Sequence, residues 1–185
     1  MLHTKTLNVP WRPMFSIIGP RDQDPERVAF REKLQGRLQE ELTKWIGTPY
    51  MLSSQEPGPQ GGARCTSFVC GVLDGLRGTH TELEVLPADI SAHDAEGARA
   101  AMRRLIRMYA PARNVLRDGW LEPGDILVTG PAGGGPGHGM IVGPEPNTLW
   151  QCIDPLGVEK TGWGLLADLM VLHGVYRLSN RSTWK

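Results

Sequence analysis

The stretch Gly61-Gly62-Ala63-Arg64-Cys65-Thr66-Ser67-Phe68-Val69-Cys70-Gly71-Val72-Leu73 decides how this chain is read. The glycine pair sets a tight turn, and a small thiol follows it directly. Phe68, Val69, Val72, Leu73 and Leu76 then recur at helical spacing, which predicts a buried helix with Cys65 at or next to its first turn. The unpaired N–H groups and the dipole of a helix start stabilise an anion, so a thiol there is biased towards thiolate. Thiolate is the nucleophilic form, and this bias is what a catalytic cysteine requires. The competing reading of Cys65, a small core residue, is weighed against the rest of the chain.

Working outward, Asp24-Pro25 reads as a helix start, with Asp as N-cap and Pro at the first helical position. Phe30, Leu34, Leu38, Leu42, Trp45 and Ile46 place one apolar face on this helix, and Gly47 ends it. Residues 1–24 form an extended arm, since Pro10, Pro13 and Pro20 forbid a helix through it. Residues 25–185 are read as one domain. Thr48 to Leu52 is a short non-helical piece, and Ser53 to Gly62 a loop leading to Cys65. Ala98, Ala101, Met102, Leu105, Ile106 and Tyr109 mark a further amphipathic helix. Its other face carries Arg99, Arg103 and Arg107, read as a solvated stripe.

From Trp120 the period changes to that of strands. Leu121 to Asp125 is a turn, and Asp125 to Thr129 a strand. Gly130 to Gly137 is a glycine-rich loop without the Gly-Lys-Ser/Thr ending of a phosphate loop. His138 to Gly143 and Thr148 to Asp154 are two further strands, joined by the turn Pro144 to Asn147. Gly164 to Leu172 reads as a short helix and Val175 to Leu178 as a last strand. Helices first and an antiparallel meander after them make an α+β layout.

Composition excludes several classes. Lysine plus arginine and aspartate plus glutamate number 20 each, so no charge excess calls for nucleic acid or an anionic membrane. Three cysteines, Cys65, Cys70 and Cys152, with no CxxC and no Cys/His cluster, argue against a disulfide framework or a metal site. No apolar run is long enough for a membrane span. Met1 to Pro20 lacks the apolar core and cleavage site of a secretory signal, which predicts a cytoplasmic protein or one exported by a non-Sec route.

The hairpin register joins the chemistry. If Gly143 pairs with Thr148, His138 falls opposite Ile153, and Gln151 is its diagonal neighbour on the same face. Gln151 can then bond one imidazole nitrogen and fix the tautomer, while the other nitrogen faces the thiol. That is nucleophile, base and orienter: Cys65, His138, Gln151. Asp154 is a second candidate orienter if a bulge shifts the register. Taken singly, His138 also reads as a loop-end histidine and Gln151 as an ordinary strand amide.

At these residues the chain resembles the NlpC-type cysteine peptidases, the papain-like cell-wall hydrolases. Gly47-Thr48-Pro49-Tyr50, then Ala63-Arg64-Cys65-Thr66-Ser67-Phe68-Val69, is similar to their Gly-Thr-Pro-Tyr segment and Asp-Cys-Ser-Gly-Phe/Leu-Val motif. Leu121 to Leu127 resembles their Leu-x-Pro-Gly-Asp-Leu strand, and His138 to Gly143 their His-Val-Gly-Ile-Tyr-x-Gly strand. The resemblance covers Lys44 to Leu73 and Trp120 to Asp154. It implies a papain-like fold, helices packed on an antiparallel sheet, and thiol hydrolysis of an amide bond, typically in peptidoglycan stem peptides. It implies no metal and no organic cofactor. Cys65 then stands as nucleophile, His138 as base, Gln151 near the family's third polar residue, and Tyr50 at its active-site tyrosine. Three positions depart from the pattern: Arg64 replaces the family's Asp, and Thr66-Ser67 replaces its Ser-Gly. The first departure bears on substrate choice. Two other classes fit the same sequence: an acyltransferase or deamidase acting on proteins through this thiol, and a non-catalytic module of the phage-tail kind that keeps the fold.

Overall fold

The computed structural model describes residues 25–51, 58–78, 100, 102–103, 113–114, 121–131, 133–162 and 170–177. The expected arm of residues 1–24, including the Asp24 cap, lies outside them. So does most of the expected helix between Ala98 and Tyr109. Ala100, Met102 and Arg103 are helical, and Met102 is buried.

Helix α1 runs Pro25–Lys44 and helix α2 runs Cys65–Arg77. The strands are β1 (Arg113–Asn114), β2 (Ile126–Pro131), β3 (His138–Val142), β4 (Thr148–Ile153), β5 (Gly157–Gly162) and β6 (Met170–Arg177). Among the described residues they form one sheet in the order β1-β6-β2-β3-β4-β5, with antiparallel pairing throughout. Helices packed on an antiparallel sheet make an α+β protein. The meander holds from β2 to β5, but the chain then returns to pair β6 with β2 on the opposite side. Met170 to Leu172, expected at the end of a helix, belong to β6; the rest of that expected helix lies outside the described residues. Pairing along Thr129, Gly130 and Pro131 supplies backbone partners that a local reading of 170–172 does not foresee. Strand β5 was not expected from the sequence at all.

The core follows the helical spacing. Phe68, Val69, Val72, Leu73 and Leu76 of α2 are each at most 1% exposed and pack between α1 and the sheet. Burying one such side chain is worth roughly 1.5–3 kcal/mol, so this face alone fixes where α2 sits. From α1, Leu34, Leu38 and Leu42 join the same core, and Trp45 meets Phe68 edge to face with ring centroids 5.5 Å apart. Ile46 does not join it. The helix ends at Lys44, the following turn leaves the helical phase, and Ile46 is 62% exposed. A second apolar cluster, Leu121, Leu127, Met140, Val142, Leu149 and Val175, occupies the other face of the sheet.

Two glycines allow the close approaches that assemble the site end of the molecule. A Cβ on Gly139 would lie 2.7 Å from Met102 Cε and 3.5 Å from Val69 Cγ2, so glycine leaves room here for the Met102 side chain between β3 and its neighbours. Gly157 has a φ of 77° and lies against the Thr48 carbonyl, where the Val158 N–H donates to Thr48 O at 2.8 Å. That contact ties β5 to the segment carrying Tyr50. Among the described residues, no helix is long and apolar enough to cross a membrane.

Candidate active site

Cys65 is the first residue of α2, and Arg64 is its N-cap in extended conformation, with φ −111° and ψ 171°. Arginine has no acceptor with which to cap a helix. Ser67 does the work instead: the Arg64 N–H donates to Ser67 Oγ at 2.9 Å, and the Ser67 hydroxyl donates to the Arg64 carbonyl at 3.1 Å. The first helical bond, from Phe68 N–H to Arg64 O, is 2.9 Å long. The earlier N–H groups of α2 have no partner one turn back, and they gather where the thiol stands. Tyr50 is held beside this point by a parallel bridge to Ala63. The Met51 N–H donates to Ala63 O at 2.9 Å and the Ala63 N–H to Pro49 O at 3.0 Å.

His138 opens β3, opposite Thr129 of β2. The β3–β4 hairpin pairs Ile141 with Trp150 and Val142 with Leu149, and the Gly143 N–H donates to Thr148 O at 2.9 Å. This is the register expected from the sequence, without a bulge. Gln151 accordingly reaches His138 across the diagonal, with His138 Nε2 2.9 Å from Gln151 Oε1. Asp154 lies beyond the end of β4, and its charge acts on Tyr50.

The His138 ring stands within electrostatic reach of the Cys65 thiol. With Nε2 committed to Gln151, Nδ1 is the ring nitrogen left for the sulfur. Burial pushes the Cys65 thiol up. The hydrogen bond and charge of His138, with the backbone N–H groups of Gly139 and Thr66, outweigh it and leave the thiol below its ordinary value. His138 moves the opposite way. Burial pulls it down, but the Cys65 thiolate and the Gln151 bond hold it above the usual imidazole range. Thiolate and imidazolium thus stabilise each other. The Cys65 sulfur lies 3.8 Å from the Gly137 carbonyl at the end of the glycine-rich loop, to which the protonated thiol can donate.

Tyr50 feels burial first and then the charges of Cys65, Asp154 and Cys152, which together raise its pKa; Arg64 opposes them. The phenol therefore stays protonated, and it stands within electrostatic reach of the thiol. Arg64 is half-buried at the same rim. The other two cysteines are placed differently. Cys70 is fully buried in the core. Cys152 donates to Ala63 O at 3.1 Å, and burial followed by the charge of Cys65 pushes its thiol up to about 12.

One residue of this constellation escaped the sequence reading. Glu159 of β5 pairs with Gln151 of β4 and accepts a bond from Gln151 Nε2 at 2.8 Å. A lone glutamate between Val158 and Lys160 gives no local sign of such a role; only the strand pairing reveals it. Among the described residues, no group of histidine, cysteine, aspartate and glutamate side chains is placed to hold a metal ion. Compared with protein-family descriptions and with curated proteins, the sequence finds no match in either.

Proposed function

We propose that the protein is a papain-like thiol hydrolase that cleaves an amide bond, with peptidoglycan stem peptides as substrate. The observation that carries this reading is the continuous run from the Cys65 thiol through His138 to Gln151, with the thiol lowered and the imidazole raised. A cysteine that merely packs has no need of an oriented base.

The steps follow from the roles. The Cys65 thiolate attacks the amide carbonyl carbon, a C–S bond forms, and the carbonyl electrons move onto oxygen. That oxyanion is met by the Cys65 N–H at the start of α2 and by the Tyr50 hydroxyl; losing one such donor typically costs about 3 kcal/mol of transition-state stabilisation. His138 gives its Nδ1 proton to the departing nitrogen as the C–N bond breaks. Water then attacks the thioester carbon and passes its proton to Nδ1. The acid leaves, and thiolate and imidazolium are restored. Through both steps Gln151 Oε1 accepts from Nε2–H and keeps the ring in place.

The test is mass spectrometry of purified peptidoglycan after incubation with the protein. The expected result is a set of stem-peptide fragments, each cleavage adding one water, absent with Cys65→Ala. Products carrying an added amine in place of water would instead identify an acyltransferase. An unchanged spectrum with peptidoglycan and with peptide substrates would overturn the hydrolase reading.

A further inference from the structure

We infer that Glu159 is a positioning residue, which fixes the orientation of the Gln151 amide and thereby dictates which nitrogen of His138 carries its proton. The inference rests on the hydrolase reading for its catalytic consequence, but its structural core stands on hydrogen-bond chemistry alone.

A glutamine amide presents a carbonyl oxygen on one side and an NH₂ group on the other, and the two are nearly equal in shape. Facing a histidine alone, it can turn either way. With Oε1 towards the ring it accepts from Nε2–H; with the NH₂ towards the ring it donates to a bare Nε2 and forces the proton onto Nδ1. The second arrangement is useless here, because a neutral Nδ1–H cannot take the proton of Cys65. Glu159 removes the choice. An ionised carboxylate only accepts, so the NH₂ group must face it, and Gln151 Nε2 donates to Glu159 Oε1 at 2.8 Å. Oε1 is then left for His138, 2.9 Å from Nε2.

The backbone fixes this geometry. Gln151 and Glu159 are directly paired across β4 and β5, in a register that runs unbroken from Thr148↔Gly162 to Ile153↔Gly157. Gln151 is only 2% exposed, so water does not compete for its amide. The run is therefore four residues long, from Cys65 through His138 and Gln151 to Glu159. Its negative end also favours imidazolium, since the donated bond polarises the amide oxygen towards the ring.

The experiment is ¹⁵N NMR of the His138 imidazole in a Cys65→Ala background, which removes the thiolate and lets the ring titrate alone. With Glu159 present, the neutral ring is expected as the Nε2–H tautomer only. Glu159→Gln is expected to give a mixture of tautomers and to lower the His138 pKa. In a Gln151→Ala background the same Glu159→Gln change is expected to leave the tautomer ratio where Gln151→Ala had put it. In protein with Cys65 intact, Glu159→Gln should lower kcat about tenfold at unchanged KM. A pure Nε2–H tautomer in Glu159→Gln would overturn the proposal. So would a tautomer shift of equal size with and without Gln151, which would mean that Glu159 acts on the ring by charge. Absence of hydrolysis in the wild type would count against the hydrolase reading while leaving the tautomer result decisive for Glu159.

Discussion

Among the described residues, two clusters of buried polar and charged groups are built to opposite ends. One ties α1 to the sheet: Arg27, Arg31 and Arg177 converge on Glu122, and Arg177 also grips Asp125. Arg27 bonds Glu122, Arg31 Nη1 lies 3.5 Å from Glu122 Oε1, and Arg177 donates to Asp125 at 2.9 and 3.1 Å. The other is the run Cys65, His138, Gln151 and Glu159. In the first, carboxylates are held against arginines, whose charge is permanent. In the second, the cation next to the thiol is an imidazole, which can gain and lose its proton. Permanent charge suits a fastening, whereas titratable charge suits chemistry.

The largest effect separating the two belongs to the nucleophile. Cys65→Ala should reduce turnover on a peptide substrate by on the order of 10⁴-fold or more while leaving the melting temperature close to wild type. A variant that melts much earlier would mean that Cys65 is a packing residue. Arg177→Ala should do the reverse. Stranding Asp125 and Glu122 in the interior should cost about 3–5 kcal/mol in urea unfolding, with the alkylation rate of Cys65 in the folded protein unchanged. If that rate fell in the folded variant, the two clusters would be one system.

A smaller effect concerns specificity at the rim. Arg64 puts a positive charge beside Tyr50 where the family that the chain resembles carries an Asp. The expected outcome is that wild type cleaves an acetylated peptide at least as well as one with a free amine. Arg64→Asp should shift that preference towards the free amine by about 1–3 kcal/mol. Much faster cleavage of the free-amine peptide by wild type would show that the charge reversal is without effect.

An effect of comparable size is a pH slope in the fastening cluster. Burial pushes the Asp125 carboxyl up to about 6 from an ordinary 3.8, against the pull of Arg177. A raised carboxyl keeps in the folded chain a proton that the unfolded chain releases. Its contribution to stability is complete below about pH 4 and is lost as pH rises through about 6. The melting temperature of Asp125→Asn relative to wild type should therefore climb between those pH values and level off above them. A fall across the same window would mean that Arg177 wins over burial.

The sequence carried the parts of this structure whose signals are local. The α2 face, the β2 to β4 strands and the hairpin register follow from apolar spacing and from the Pro144 to Asn147 turn, and they set Cys65, His138 and Gln151 on their elements. Other parts depend on partners distant in sequence. Strand β5 reads Gly157-Val158-Glu159-Lys160-Thr161-Gly162, too polar and too glycine-bounded to announce itself, and it exists because β4 offers a free edge. Glu159 was hidden with it. The strand identity of Met170 to Leu172 likewise comes from β2.

The most direct test of the central claim, that Cys65 is a thiol activated by His138, is its alkylation by iodoacetamide across pH, read residue by residue by mass spectrometry. The account predicts that in the native protein Cys65 labels well below the pH at which a free cysteine reacts, while Cys70 and Cys152 stay unlabelled. It predicts also that His138→Ala moves the onset for Cys65 upward in pH. An onset at or above that of a free cysteine, or one that His138→Ala leaves in place, would contradict it.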